Sequence, residues 1–334
     1  MRADRARVLI VAPAWVGDMV MAHTLVQLVA RRQPAPEIHV LAPPSTEPLA
    51  RRMAEVAASR PLAVRHGELG LQRRYRVAKA LREEGYDQAI VLPNTWKSAL
   101  VPRWARVPVR TGWLGESRYF LLNDRRRLDA RRYPLMIERF MALALASGEP
   151  IPQPYPRPAL TVDAENRDRL VAELGLSLER GVLALCPGAE FGPAKRWPAA
   201  HYAEVARRAV RGGRQVWLIG SPGEADTAES IRALVPEAVN LAGRTSLLDA
   251  VDLLSAADTV VSNDSGLMHV ASAVGARVVA VFGSTSPEFT PPQGEHARVV
   301  RLEVPCSPCF QRICPLGHSR CLTDLPPARV IEAL

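Results

Sequence analysis

A chain of 334 residues is long enough for two ordinary domains, and a composition that is 48% hydrophobic and 23% charged is typical of a globular protein rather than a disordered one. No apolar run approaches the roughly 20 residues that a membrane-spanning helix needs, which excludes an integral helical membrane protein. The formal net charge of +9 favours acidic partners, such as nucleic acid, anionic lipid or a phosphorylated glycolipid.

Strand and helix signals alternate along the first half of the chain. Short apolar runs at residues 8–12, 38–41 and 89–92 predict buried strands, and a helical pattern covers residues 19–31. The first run is too short for a secretion signal, so we interpret it as a strand and expect the protein to stay in the cytoplasm. This alternation is typical of a parallel sheet flanked by helices.

The second half repeats this alternation after a stretch that is rich in proline. Five prolines alternate with other residues between positions 150 and 158, which favours a stiff linker between domains of residues 1–155 and 156–334. Strands are predicted at residues 182–186, 215–220, 259–262 and 277–283, and Ser246 with Asp249 predicts a capping box at a helix start. The sequence therefore predicts an α/β protein of two doubly wound, Rossmann-like domains that face a central cleft.

The loop after the first predicted strand ends in Asp18, where the strand gives way to a helix. A carboxylate at this place could act as a general base on a sugar hydroxyl. Aspartate is also a favoured helix N-cap, and position alone does not separate the two roles. The loop lacks the G-x-G-x-x-G pattern, so a dinucleotide-binding fingerprint is absent.

Two loops of the second half have the features of a phosphate site. Residues 186–198 form a loop rich in glycine and proline, in which Lys195 and backbone N–H groups could hold a diphosphate, unless the lysine is simply solvated. In the second loop, Asp264 or Ser265 could cap a helix whose first turn attracts an anion. His269 lies about one turn further on, where it could reach the same anion or be a half-buried structural histidine.

A third loop contains Glu224, which follows the predicted strand at residues 215–220. Acidic residues after strands bind ribose hydroxyls in nucleotide-binding folds, and the alternative is an ordinary surface turn.

Positive charge is concentrated in one stretch of the chain. Residues 51–132 contain 19 Lys or Arg against 8 Asp or Glu, so the remainder is slightly acidic. Such a field attracts polyanions, although a solvated Arg-rich surface would give the same count. Nucleic acid is not an expected partner, because only 5% of the residues are aromatic and no zinc-finger or helix-turn-helix pattern is present.

Taken together, the motifs resemble the family of ADP-heptose:lipopolysaccharide heptosyltransferases over nearly the full chain. The matching segments are residues 13–20, 92–100, 110–113, 187–198 and 263–269, and the fourth is similar to the type II enzymes rather than type I. The resemblance implies a GT-B fold and inverting transfer of L-glycero-D-manno-heptose from ADP-heptose to the first heptose of Hep-Kdo2-lipid A. It also implies that catalysis requires no metal or other cofactor.

The resemblance assigns roles to individual residues. Asp18 matches the proposed base, Lys195 the lysine that binds the diphosphate, and Glu224, less securely, the ribose acid. The remaining donor-binding residues are Asp264, Ser265, Gly266, Leu267 and His269. On the acceptor side, the phosphates and carboxylates of the lipid A–Kdo–heptose substrate are expected to meet Lys97 and Arg110, with Arg103 and Arg118 nearby.

One further expectation follows from the basic stretch and from the acceptor. The enzyme is expected at the cytoplasmic face of the inner membrane, attracted by anionic lipid. The alternatives are a related enzyme that uses another nucleotide-sugar, transfer to the first-heptose acceptor, or a nonenzymatic module that binds polyanions.

Four of the five cysteines lie close together near the C-terminal end of the chain. Cys306, Cys309, Cys314 and Cys321 form the pattern C-x2-C-x4-C-x6-C, and His318 could replace one of the thiols. The spacing suggests a structural zinc site away from the chemistry. A disulfide pair or four reduced thiols would fit the same spacing.

Overall fold

The computed structural model describes residues 5–64 and 67–334. The chain divides into two compact units, Met1–Pro158 and Ala159–Leu334, and the boundary falls in the stretch of alternating prolines. Among the described residues, no helix is both long and apolar enough to cross a membrane.

The first unit contains a six-stranded parallel sheet in the order β3-β2-β1-β4-β5-β6. Its strands are β1 Arg7–Val11, β2 Glu37–Ala42, β3 Val56–Pro61, β4 Gln88–Val91, β5 Val109–Trp113 and β6 Asp124–Arg126. Its helices are α1 Val16–Ala30, α2 Glu47–Ala50, α3 Leu71–Glu84, α4 Leu100–Trp104 and α5 Met136–Ala144, with a 3₁₀ turn at Trp96–Ala99.

The second unit repeats this architecture in the order β12-β11-β10-β7-β8-β9, again with all strands parallel. Its strands are β7 Val182–Cys186, β8 Gln215–Leu218, β9 Val239–Asn240, β10 Thr259–Asn263, β11 Arg277–Phe282 and β12 Arg298–Arg301. Its helices are α6 Ala164–Glu173, α7 Ala199–Arg211, α8 Ala225–Leu234, α9 Leu247–Ser255, α10 Gly266–Ala273, α11 Arg320–Thr323 and α12 Pro327–Ile331, with 3₁₀ turns at Pro193–Lys195 and Pro222–Glu224.

The apolar runs found in the sequence form the centres of the two sheets. Every residue of β7 and β10 is buried, as expected for parallel strands that helices cover on both faces. The predicted capping box at the start of α9 is also confirmed, because the Ser246 hydroxyl accepts the Asp249 N–H at 3.2 Å and the Asp249 carboxylate accepts the Ser246 N–H at 2.8 Å.

Both sheets have the strand order of the dinucleotide-binding fold, in which successive strands are added toward one edge and then, starting beside the first strand, toward the other edge. The reversal falls between β1 and β4 in the first unit and between β7 and β10 in the second. Ligands bind at the carboxyl ends of such strand pairs, because the loops that follow the two strands run to opposite sides of the sheet and leave a crevice between them. The loops after these four strands are therefore the places to search for a site.

Candidate active site

Asn263, the last residue of β10, fixes the glycine- and proline-rich loop that follows β7. Its amide nitrogen donates to the carbonyls of Pro187 at 2.7 Å and Gly188 at 3.2 Å. Its amide oxygen accepts the Trp197 N–H at 3.1 Å and the Tyr202 hydroxyl at 3.0 Å. Because Asn263 is fully buried, this clamp holds both ends of the loop at the carboxyl edge of the sheet.

An ion pair joins this loop to the end of β10. The Lys195 ammonium lies 2.6 Å from Asp264 Oδ2, and the two side chains are only 14% and 5% exposed. The Thr285 hydroxyl donates to the same carboxylate oxygen at 2.6 Å, and the Phe191 ring lies 4.8 Å from the ammonium. An ammonium has three N–H donors, so Lys195 can bind an anion while it keeps the contact with Asp264.

Helix α10 begins directly after this ion pair. Ser265 is at the N-cap position but makes no side-chain bond to the first turn; its hydroxyl contacts Ser262 at 3.2 Å. Ser265 therefore occupies one of the two expected cap positions, but without the side-chain hydrogen bond of a capping residue, and the Asp264 carboxylate is engaged by Lys195. By helix geometry the backbone N–H groups at the start of α10 have no partner within the helix, and they offer an anion donors and a positive dipole end.

His269 lies one turn into α10 and is 4% exposed. Its pKa is lowered from 6.5 to about 4, chiefly by burial; Asp264 opposes this shift and Lys195 adds to it. The imidazole is therefore neutral at pH 7. It can contribute one N–H donor to a phosphate, but it contributes no positive charge.

This shift predicts a pH dependence of stability. As the pH falls, the unfolded chain gains a proton on His269 near pH 6.5, while the folded chain gains it only near pH 4. The folded state should lose up to about 3 kcal/mol across this window and nothing further below it. Melting temperatures of the wild type should fall more steeply between pH 6.5 and 4 than those of His269→Gln. Equal slopes would contradict a buried neutral imidazole.

Glu224 ends the 3₁₀ turn that follows β8. Its carboxylate accepts the N–H and the hydroxyl of Ser221 at 2.8 and 2.9 Å. A β-carbon at Gly188 would collide with this carboxylate, so the glycine allows Glu224 to reach the end of β7. The side chain caps the turn, and its ribose-binding role stays a prediction.

The hydroxyl residues after β11 also contribute to this site, although they were not predicted from the sequence. Thr285 supports Asp264, and the neighbouring Ser284 hydroxyl is buried without a hydrogen-bond partner in the described part of the chain. The run Ser284-Thr285-Ser286 after a buried strand was the available signal, because small hydroxyl residues at a strand's carboxyl end are suited to bind phosphate oxygens.

In the first unit, Asp18 and Lys97 lie just after strands β1 and β4, at the same edge of the sheet. Asp18 is the third residue of α1 and is half-buried, and Lys97 lies in the 3₁₀ turn after β4. Trp15 is at the N-cap of α1, so the alternative in which Asp18 is the N-cap is wrong. Since β1 and β4 are neighbours, both residues flank the crevice of this sheet.

Two arginines beside the motifs of the first unit hold its loops. The Arg118 guanidinium is fully buried and donates to the carbonyls of Trp113 and Pro93, and its place near a bound acceptor stays a prediction. Arg110 donates to the carbonyls of Leu121 at 2.7 Å and Val107 at 2.5 Å. These contacts weigh against Arg110 as an acceptor ligand and leave Lys97 as the better candidate.

The segment with the four cysteines packs on the loops of the second unit's site. The Arg312 carbonyl accepts the Ala194 N–H at 3.1 Å, and the Phe310 N–H donates to the Ser284 carbonyl at 2.7 Å. The expectation that this segment lies away from the chemistry is therefore at odds with its contacts. All five thiols are free, and nowhere in residues 5–64 or 67–334 are three or more His, Cys, Asp or Glu side chains arranged to hold a metal ion.

Comparisons with known proteins agree with this geometry. The model of glycosyltransferase family 9 (heptosyltransferase) matches residues 74–319. Lipopolysaccharide heptosyltransferase 2 of Salmonella typhimurium is 44% identical, over 98% of this chain and 97% of that protein. Lipooligosaccharide heptosyltransferase 2 of Haemophilus influenzae is 43% identical, over 98% of both chains.

Solved structures show the same relationship. The structure of E. coli ADP-heptose lps heptosyltransferase II matches with a TM-score of 0.88 and 43% identity, over 98% of this chain and 97% of that one. An E. coli heptosyltransferase solved with ADP is 20% identical and matches in fold, with a TM-score of 0.74 over 98% of both chains. The predicted resemblance and fold class are confirmed: this chain has the GT-B fold and belongs to glycosyltransferase family 9, the heptosyltransferases.

Proposed function

We propose that this enzyme transfers L-glycero-D-manno-heptose from ADP-heptose to the first heptose of Hep-Kdo2-lipid A, in the synthesis of the lipopolysaccharide inner core. The observation that carries the proposal is the buried pair of Lys195 and Asp264 at the start of α10, in a chain 44% identical to a lipopolysaccharide heptosyltransferase 2. It combines a cation and a helix N-terminus at the place where a nucleotide diphosphate binds in this fold.

On the donor side, the site supplies positive charge where the reaction creates negative charge. As the bond between the anomeric carbon and the diphosphate breaks, the electron pair passes to a phosphate oxygen of the departing ADP. Lys195 and the N–H groups at the start of α10 stabilise that charge, and neutral His269 can donate one more hydrogen bond. Because these groups can neutralise the leaving group, we propose that transfer needs no divalent ion or other cofactor.

On the acceptor side, Asp18 is the proposed general base. It removes the proton from the acceptor heptose hydroxyl while that oxygen forms the new bond to the anomeric carbon. Attack from the side opposite to the departing ADP inverts the configuration at that carbon. Lys97, at the same sheet edge as Asp18, is the proposed contact for acceptor phosphates or carboxylates.

We also propose that the first unit binds the cytoplasmic face of the inner membrane through an exposed aromatic pair. Tyr119 and Phe120 lie in the loop between β5 and β6 and are 53% and 91% exposed. Arg125 donates to the Tyr119 carbonyl at 3.1 Å, and the whole stretch 51–132 is rich in arginine. Apolar rings beside cations suit a bilayer with anionic headgroups.

Phe120→Ser should weaken binding to anionic vesicles by roughly 10- to 100-fold, because burial of a phenylalanine side chain contributes about 1.5–3 kcal/mol. Co-sedimentation with vesicles of mixed anionic and neutral lipid measures the change. Leu234→Ser is the matched control, since Leu234 is 47% exposed on α8 of the second unit. Equal losses for the two variants, or equal binding of the wild type to purely neutral vesicles, would contradict this surface.

Mass spectrometry of the reaction product tests the function itself. Purified enzyme with ADP-heptose and Hep-Kdo2-lipid A should add one heptose to the acceptor and release ADP. Parallel reactions with UDP- and GDP-sugars, and with Kdo2-lipid A, test the alternative donors and the first-heptose acceptor. Product in one of those reactions but not in the first would reject the proposed substrates, and tight binding of nucleic acid without any transfer would favour a polyanion-binding module.

A further inference from the structure

The four-cysteine segment, residues 304–324, contains two arginines, Arg312 and Arg320. Arg320 pairs with Asp324 at 2.7 Å, within its own short stretch of chain. Arg312 instead lies beside the loop that follows β7 and carries Lys195, which makes it the cation of interest at the donor site.

The backbone of Arg312 is fixed against this loop. Its carbonyl accepts the Ala194 N–H at 3.1 Å, and a β-carbon at Gly192 would lie only 2.5 Å from the same carbonyl oxygen. Glycine is therefore the residue that lets the two chains approach so closely. Two residues before Arg312, the Phe310 N–H donates to the Ser284 carbonyl at 2.7 Å, on the second loop of the site. The segment is thus held by both loops, and Arg312 has a fixed place at the donor site.

The side chain of Arg312 shares an aromatic ring with Lys195. The guanidinium carbon lies 5.4 Å from the centre of the Phe191 ring, and the Lys195 ammonium lies 4.8 Å from the same point. The two cations are therefore no farther apart than the sum of these distances, a gap that one diphosphate can bridge with a hydrogen bond at each end. Cations held this close repel each other, and an anion bound between them offsets that repulsion. The arrangement is suited to a ligand with two adjacent negative groups.

Arg312 can bind such a ligand without giving up its other contacts. The residue is exposed, and a guanidinium carries five N–H donors in a planar fork. The contact with Ala194 uses the carbonyl oxygen of Arg312, so it does not occupy the donors of the side chain. A ligand that enters from solvent can therefore reach these donors.

The charges already placed at the donor site leave a role for a second cation. Asp264 offsets the positive charge of Lys195, with which it forms a buried ion pair at 2.6 Å. His269 is neutral at pH 7, and a helix N-terminus contributes only about half a positive charge. Each phosphate of a nucleotide diphosphate is negatively charged, so one more full positive charge beside Lys195 would strengthen the binding of both phosphates.

We propose that Arg312 is a second cation for the diphosphate of the donor nucleotide. It donates a hydrogen bond to one phosphate while Lys195 binds the other, with both cations packed on the Phe191 ring. This inference rests on the proposed function, which names an ADP-sugar as the donor. As ADP departs, negative charge grows on the phosphate that leaves the anomeric carbon, and a cation at each phosphate stabilises that charge. The four-cysteine segment then serves the site by holding the backbone of Arg312 in place.

Calorimetry with ADP tests the side chain of Arg312. Arg312→Met keeps an unbranched side chain that can pack on Phe191 but removes the charge. It should weaken ADP binding by about tenfold, near the lower end for a hydrogen bond between charged groups, because Arg312 is exposed. Arg312→Lys should recover part of the affinity. Arg320→Met is the matched control on the same segment, and should stay within about twofold of the wild type, since exposed ion pairs contribute little.

Two fragments of ADP locate the effect within the ligand. In competition with ADP, inorganic pyrophosphate should bind Arg312→Met less tightly than the wild type, by about the same factor as ADP does. Adenosine, which has no phosphate, should bind the two proteins alike. Equal losses for adenosine and pyrophosphate would show that the variant loosens the whole loop, and would overturn the inference.

Other results would also overturn it. If Arg312→Met binds ADP as tightly as the wild type, or if Arg312→Lys binds it no better than Arg312→Met, the charge of Arg312 has no part in the site. Should heptose be transferred while one of these results is found, the function stands and the inference fails. If ADP affinity depends on Arg312 as expected but no heptose is transferred, the function fails and the diphosphate site stands. A wild type that binds neither ADP nor pyrophosphate would reject both.

Discussion

Asp18→Asn should lower kcat by about 10²–10⁴, the contribution typical of a general base, while ADP affinity stays nearly unchanged. The substitution preserves the size of the side chain and one acceptor oxygen but removes the charge and the basicity. Asp18 lies in the first turn of α1, where loss of a negative charge costs the helix only about 0.3–1 kcal/mol. A large loss of rate with a small change in stability therefore distinguishes a base from a residue that supports the helix.

A control variant for Asp18→Asn should remove a carboxylate elsewhere in the same sheet. Asp87 precedes β4 and accepts the Arg7 N–H at 2.8 Å, at the edge opposite to the one that Asp18 occupies. Asp87→Asn should keep its rate within about twofold, since surface changes of this kind usually cost less than about 0.5 kcal/mol. Steady-state kinetics, ADP calorimetry and melting temperatures of both variants show whether Asp18 acts as a base or only supports the helix. Similar kcat values for the two would remove Asp18 from the chemistry.

Much of the fold could be predicted from the sequence because the residues of each central strand show by their own hydrophobicity that the strand is buried. A strand covered on both faces is a short run of apolar residues, and β1, β2, β4, β7, β10 and β11 all have this form. The edge strands β3 and β6 escaped detection, since β3 is mostly exposed and β6 consists of Asp124-Arg125-Arg126. These segments are strands because they pair with a neighbouring strand, and their own sequences do not reveal that pairing.

The candidate site was predictable as a set of residues but not as a set of contacts. Lys195 and Asp264 were both singled out as donor-binding residues, yet their ion pair joins positions 69 residues apart. Arg118 looked like a surface cation, and only the buried carbonyls around it show that it holds a loop together. The contacts of the four-cysteine segment with Ala194 and Ser284 likewise arise from packing between distant parts of the chain.

Lys195→Ala should reduce kcat/KM by about 10²–10³, as happens when one preorganised donor to a developing negative charge is removed. ADP affinity should fall by roughly 10- to 100-fold as well, because a hydrogen bond to a charged group contributes about 1.5–3 kcal/mol. The neighbouring Arg196 is an exposed cation on the same loop. Arg196→Ala removes the same charge from the loop without removing the proposed contact, and should leave ADP affinity within about twofold if exposed charges contribute little.

The ion pair makes a second variant necessary. Removal of Lys195 leaves the Asp264 carboxylate, which is 5% exposed, bonded to the neutral Thr285 hydroxyl, and a buried charge without a compensating cation is costly. That carboxylate would also repel the diphosphate, so part of the loss in Lys195→Ala belongs to Asp264 and not to the missing ammonium. The double variant Lys195→Ala/Asp264→Asn separates the two causes, since it removes both charges together.

Calorimetry with ADP on the two single variants and the double variant gives the answer. If Lys195 binds the diphosphate, the double variant should recover only part of the affinity that Lys195→Ala loses, and its melting temperature should rise above that of the single variant. Full recovery of ADP affinity would mean that Lys195 acts only by neutralising Asp264. Unchanged affinity in Lys195→Ala itself would place the diphosphate elsewhere, and with it the donor site that the start of α10 is proposed to form.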